Sequence, residues 1–131
     1  MMKYDPAEAP DPAEWLALDE SERLDLVEAH HRRAKDRMPN PQAHAVFHVI
    51  VENQALDDDL PVRRAIRRLM GEGLDRHEAI HAVASVLAGY IHELMGGEEA
   101  SEFPTEAYNS EIERLTAESW RAWLEGDDED R

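Results

Sequence analysis

The sequence predicts an all-α fold, a single-domain bundle of four to five helices over residues 1–131. Three observations support this class. Apolar residues recur at helical spacing in several segments, each of these segments opens on residues typical of a helix N-terminus, and no segment alternates apolar and polar residues between turn signals as a strand does. A chain of 131 residues is long enough to bury a hydrophobic core without cross-links.

Both ends of the chain are expected to be irregular. Residues 1–10 are rich in proline and alanine and residues 127–131 are almost all acidic, so we expect both segments to be disordered. Asp11 as N-cap and Pro12 at the first helical position then predict a short helical turn. That turn carries Trp15, Leu16 and Leu18.

The first long helix is predicted from a capping box formed by Asp19 and Glu22. Pro39 and Pro41 are expected to end this helix, because proline cannot continue the hydrogen-bonding pattern. Its apolar face follows the spacing of three and four residues: Leu24, Val27, His31, Ala34 and Met38.

Two further helices are predicted in the middle of the chain. Asn40 caps a helix with Pro41 at its first position, and this helix runs to about Leu56, before three consecutive aspartates. The shorter helix that follows has an apolar face and a face of arginines, which we interpret as solvated. The apolar face is Val62, Ala65, Ile66 and Leu69; the arginines are Arg63, Arg64, Arg67 and Arg68.

The last two helices are predicted to follow glycine and proline breaks. Asp75 and Glu78 form a capping box that opens a helix running to about Met95. A fifth helix is expected to start near Thr105, after an acidic loop. It carries Tyr108, Ile112, Leu115, Trp120, Trp123 and Leu124.

Composition restricts the possible partners and ligands. A formal charge of −16, from 30 acidic and 14 basic residues, repels phosphate backbones and anionic lipids, so nucleic acid and membranes are not expected partners. No apolar run resembles a signal peptide or a membrane span, so we expect a cytoplasmic protein. Without cysteine, thiolate metal sites, disulfides and cysteine nucleophiles are excluded, and any metal must be held by nitrogen and oxygen.

Two pairs of histidines are the most concentrated chemical signal. His44 and His48 lie four residues apart on one predicted helix, and His77 and His81 repeat that spacing on another. The interval places two imidazoles on one side of a helix about 6 Å apart, and both pairs lie on the inward faces. We therefore expect the two helices to pack together with all four histidines converging.

Four converging imidazoles form a nitrogen-rich pocket suited to one divalent ion such as Zn²⁺, Fe²⁺, Ni²⁺ or Mn²⁺. Glu52 and Glu78 are expected at its rim and complete the candidate ligand set. The alternative is that the histidines are structural, each satisfied by hydrogen bonds within the core. His30 and His92 are interpreted as surface or boundary residues.

Two short motifs in the same region suggest enzymes, and both matches are incomplete. Residues 77–81 match H-E-x-x-H, the zinc metalloprotease motif, but Glu78 already serves the helix cap and no upstream strand is predicted to dock a peptide. Glu28 with His31, and Glu78 with His81, repeat the E-x-x-H step of di-iron bundles, yet histidine outnumbers carboxylate here. We expect the purified protein to lack peptidase activity.

The sequence Asn40-Pro41-Gln42-Ala43-His44 with His48, followed some thirty residues later by His77 and His81, resembles a family of small bacterial helical proteins. The shared pattern is N-P-x-x-H-x-x-x-H and then H-x-x-x-H, and it covers about residues 39–94. That family has no assigned activity. The resemblance implies the helical fold and marks the histidine positions as its signature.

Three functional hypotheses follow. The first is a helical-bundle protein that binds one divalent transition metal through His44, His48, His77 and His81. The second is a metal-free interaction or scaffold module, with structural histidines and with Trp120 and Trp123 in a surface for a protein partner or a second copy. The third is a metal-dependent hydrolase with Glu78 or Glu52 as general base. The balance of these signals favours a protein that is not an enzyme.

Overall fold

The computed structural model describes residues 3–34, 40–96 and 102–129, with side chains up to Glu125 in the last range. These residues form seven α-helices and no strand, which confirms the all-α class. The helices are α1 (Pro12–Ala17), α2 (Glu20–Ala34), α3 (Pro41–Ala55), α4 (Val62–Gly71), α5 (Arg76–Gly96), α6 (Thr105–Arg114) and α7 (Ala117–Glu129). None of them has the length and hydropathy needed to cross a bilayer.

The predicted helix starts are confirmed. Asp11, Asp19, Asn40 and Asp75 each accept a hydrogen bond from the backbone N–H three residues later. These contacts satisfy donors that a helix leaves without an intrahelical partner. The predicted end of α2, with Met38 and Pro39, lies outside the described residues.

The predicted fifth helix is two helices. The chain is extended at Leu115 (φ −63°, ψ 132°), which ends α6, and α7 begins two residues later. Arg68 of α4 donates to the carbonyl oxygens of Ile112 and Leu115, at 2.9 Å each. The arginine face of α4 is therefore solvated only in part, because one of its members binds carbonyl groups at the end of α6.

The core has two parts that meet on α3. The larger part is formed by α3 to α7, and it includes the predicted apolar face of α4, which is buried as expected. The smaller part joins α2 and α3 to the chain before α2, through Tyr4, Trp15, Val27, Ala45 and Val49. Residues 3–11 form no helix, but Tyr4 is only 1% exposed and attaches this segment to the bundle. Helix α3 thus lies between α2 on one side and α5 on the other.

Candidate metal centre

The two histidine pairs converge between α3 and α5, as their spacing predicts. Within the pairs, the ring centroids lie 4.7 Å apart for His44 and His48 and 4.3 Å apart for His77 and His81. Between the helices, His48 lies 5.1 Å from both rings on α5, and His44 lies 4.9 Å from His81. The predicted packing of these two helices is confirmed.

A third helix contributes to the same cluster. The ring of His31 on α2 lies 4.6 Å from that of His44 and 5.0 Å from that of His48. One ring nitrogen from each of His31, His44, His48 and His77 lies within 4.8 Å of the others. His30 is half-buried at the edge, with its ring 5.9 Å from that of His77. The predicted two-helix cluster is therefore a three-helix cluster.

His48 lies at the centre of this arrangement and is fully buried. Its Nε2 is 3.1 Å from Nε2 of His81, and its Nδ1 is 3.0 Å from the hydroxyl oxygen of Tyr4. Burial, reinforced by the neighbouring imidazoles of His44 and His81, lowers the pKa of His48 far below its usual range. The ring is therefore neutral at physiological pH.

A buried ion pair lies next to His48. Glu52, one turn further along α3, accepts from both terminal nitrogens of Arg76, at 2.7 and 2.9 Å. The carboxylate also accepts the hydroxyl hydrogen of Tyr4 at 2.6 Å. Burial, followed by the negative charge of Glu52, raises the pKa of Tyr4 well above its usual range, so its hydroxyl stays protonated. Arg76, Glu52 and Tyr4 form one connected group, which we call the relay.

His31 is held by the backbone of its own helix. Its Nδ1 is 2.8 Å from the carbonyl oxygen of Val27, and because a carbonyl oxygen only accepts, the ring carries its hydrogen on Nδ1. The Nε2 atom is then a lone-pair acceptor. It is buried and has no hydrogen-bond partner among the described residues. Buried polar atoms are nearly always satisfied, so this position calls for a hydrogen-bond donor, a water molecule or a cation.

Of the two carboxylates expected at the rim of the site, Glu52 is placed differently. Glu52 is 1% exposed and bound to Arg76 rather than at a rim. Glu78 lies in the first turn of α5, where its backbone N–H donates to Asp75 at 2.7 Å. The four-histidine group that could hold an ion includes neither carboxylate.

Other candidate residues lie outside the cluster. His92 is exposed on α5, as expected. Trp123 is 55% exposed and stacks on Trp120, which is only 7% exposed, with ring centroids 5.3 Å apart. Of the two tryptophans predicted to form a partner surface, Trp123 is the one that solvent reaches.

Fold and site together define a helical bundle with a buried histidine cluster contributed by three helices. No family model, no curated protein and no solved structure matches this chain.

Proposed function

We propose that this protein binds one divalent transition-metal ion through His31, His44, His48 and His77, with His81 beside them. The observation that carries the proposal is the group of four imidazole nitrogens, from three helices, within 4.8 Å of one another. Two of these residues, His31 and His48, are also buried.

The spacing supports ligation of a single ion. Nitrogen ligands lie about 2.0–2.1 Å from zinc, so two of them are about 3.3 Å apart in a tetrahedral site and about 2.9 Å apart in an octahedral one. The nitrogens of the four-histidine group lie within 4.8 Å of one another, and the Nε2 atoms of His48 and of the neighbouring His81 are 3.1 Å apart, the length of a hydrogen bond. Binding of one ion by this group requires its rings to move inward until their ligand nitrogens are about 2.9–3.3 Å apart.

The arrangement of hydrogens supports the same conclusion. His31 directs its N–H to Val27. Because the one hydroxyl hydrogen of Tyr4 goes to Glu52, His48 directs its N–H to the hydroxyl oxygen of Tyr4, and both rings turn a lone pair to the cluster. The contact between Nε2 of His48 and Nε2 of His81 needs one hydrogen. Since His48 presents a lone pair there, that hydrogen lies on His81. The lone pair of His31 still requires a hydrogen-bond donor or a cation, and a metal ion is such a cation.

The donor set favours some ions over others. Neutral imidazoles without carboxylates suit Zn²⁺, Fe²⁺ and Ni²⁺, whereas Mn²⁺ prefers oxygen ligands. Among the described residues, the four-histidine group includes no carboxylate, and the charge of the nearby Glu52 is balanced by Arg76. The protein as a whole has a net charge of −16, which raises the local concentration of cations around it.

Metal content and thermal stability test the proposal. We expect protein purified without a histidine tag to contain close to one equivalent of metal by elemental analysis. EDTA at neutral pH should lower the Tm by several degrees and Zn²⁺ should restore it, since a ligand at a thousandfold excess over Kd adds about 4 kcal/mol to the free energy of unfolding. His48→Ala should abolish the response.

His92→Ala is the matched control, because it removes an exposed histidine from the same α5 that carries His77 and His81. Its response to EDTA and Zn²⁺ should equal that of the wild type. Less than a tenth of an equivalent of metal, together with a melt that neither EDTA nor Zn²⁺ moves, would overturn the proposal. The histidines would then form a metal-free polar core, and the interaction module would be the remaining hypothesis.

A further inference from the structure

We infer that Tyr4, Glu52 and Arg76 form the second coordination sphere of this site, a relay that fixes the hydrogen of His48 on Nδ1 and directs its Nε2 lone pair at the ion. The inference rests on the proposed metal-binding function, and it assigns positioning roles to three residues that are not ligands. Metal-binding histidines commonly donate their second ring N–H to such a partner, which sets the tautomer and the ring orientation.

The hydrogen count along the relay leaves one solution. Both oxygens of Glu52 accept from the guanidinium of Arg76, so the carboxylate offers Tyr4 only an acceptor. The single hydroxyl hydrogen of Tyr4 therefore goes to Glu52 Oε2, at 2.6 Å. The hydroxyl oxygen must then accept in its 3.0 Å contact with His48, and the hydrogen of that contact belongs to Nδ1 of the histidine.

Arg76 also positions the segment that carries Tyr4. Its Nη1 donates to the carbonyl oxygens of Pro6, at 3.0 Å, and Glu8, at 3.3 Å, in addition to Glu52. One guanidinium thus holds the carboxylate and the backbone beyond Tyr4 at the same time. Tyr4 and Glu52 are each 1% exposed and Arg76 is 8% exposed, so solvent does not compete for these hydrogen bonds.

The relay contacts His48 through the hydroxyl oxygen of Tyr4. His31 obtains the same tautomer from the backbone carbonyl of Val27, which no side-chain substitution in the relay removes. His31 is therefore an internal reference for the effect of the relay on His48. Removing a second-sphere partner typically costs 10- to 100-fold in metal affinity.

The first test reads the tautomers directly. In metal-free, ¹⁵N-histidine-labelled wild-type protein, both His31 and His48 should show a protonated Nδ1 and an unprotonated Nε2 in long-range ¹H–¹⁵N spectra. Tyr4→Phe keeps the ring and removes the acceptor, so the spectrum of His48 should change while that of His31 should not. A wild-type His48 protonated on Nε2 would overturn the inference, and this measurement needs no variant.

The second test measures affinity with Co²⁺ and Zn²⁺. Tyr4→Phe should lower the affinity for both ions 10- to 100-fold. It should also shift the visible absorption bands of bound Co²⁺, because the orientation of one ligand changes. Tyr108→Phe is the matched control: it removes another buried hydroxyl that bonds to α3, through Gln54 at 2.7 Å, and it lies outside the relay. Its Kd should stay within twofold of the wild type.

The two proposals fail in different ways. Tyr4→Phe protein that binds Co²⁺ and Zn²⁺ with wild-type affinity and an unchanged spectrum would overturn the relay and leave the metal site intact. Wild-type protein that binds neither ion would overturn the metal-binding function and, with it, the second-sphere role of the relay. The tautomer spectrum then still decides whether Tyr4 sets the hydrogen of His48.

Discussion

Glu52 shows how burial decides the role of a single residue. A carboxylate that is 1% exposed is costly unless a cation pairs with it. Arg76 supplies that cation from α5 with two hydrogen bonds, and Tyr4 occupies a further acceptor position. The carboxylate expected at the rim of the site thus lies one turn beyond His48, bound to Arg76.

The ion pair gives a prediction for stability. Arg76→Met keeps the volume of the side chain but leaves Glu52 buried without a counter-charge, so the free energy of unfolding should fall by about 3–5 kcal/mol. Urea unfolding measures this loss. Arg64→Met is the control, because Arg64 is exposed and pairs with Glu113 only at 3.6 Å. This substitution should change the free energy of unfolding by no more than about 0.5 kcal/mol. Equal losses in the two variants would contradict this account.

At the scale of the helices, local signals predicted most elements because caps and periodicity act within a few residues. Capping side chains at Asp11, Asp19, Asn40 and Asp75 fix four helix starts. The break between α6 and α7 was missed, because no glycine or proline marks it and the apolar spacing continues through Leu115. The signal there is Thr116 followed three residues later by Ser119, a pair typical of a helix N-terminus.

The candidate site was predicted only in part, for a related reason. The spacing of His44 with His48 and of His77 with His81 reports the face of one helix, which is local information. His31 lies on the predicted apolar face of α2, but the angle at which α2 meets the other two helices is a tertiary property. Tyr4 lies in a segment whose composition predicts disorder, so no local pattern indicates its contact with His48.

The cap of α7 provides a prediction at this scale. Thr116 accepts from the backbone N–H of Ser119 at 3.0 Å, and the serine hydroxyl accepts from the backbone N–H of Thr116 at 3.1 Å. Thr116→Ala should therefore lower the free energy of unfolding by about 1 kcal/mol, measured by urea unfolding. Thr105→Ala, at the first position of α6 rather than at a cap, should cost less than half as much. A Thr116→Ala variant as stable as the wild type would contradict the capping role.

At the scale of the whole molecule, buried tyrosines couple the fold to alkaline pH. Tyr108 joins α6 to α3 through Gln54, and burial raises the pKa of its hydroxyl well above the usual value of 10.0. The folded state therefore keeps this proton at a pH where the unfolded chain releases it. The resulting stabilisation is fully present below pH 10 and is lost as the pH rises towards the folded-state pKa.

Tyr108→Phe should make the free energy of unfolding less dependent on pH above pH 10. Each proton released on unfolding contributes about 1.4 kcal/mol per pH unit to the slope of the free energy of unfolding against pH. Tyr4 adds its own contribution to this slope in both the variant and the wild type. Urea unfolding at several values between pH 8 and 11 measures the slope, and each protein at pH 8 serves as its own reference. Slopes that are the same in the variant and the wild type would show that Tyr108 ionises without unfolding.

The long chain separations within the relay also set an order of events during synthesis. Tyr4 is 48 residues from Glu52, and Glu52 is 24 residues from Arg76. A nascent chain that has emerged only through α3 carries the carboxylate without its guanidinium, and burial of Glu52 is unfavourable in that state. We therefore expect the segment that holds Tyr4 to dock on the bundle only after the start of α5 has left the ribosome, although this segment is made well before α5.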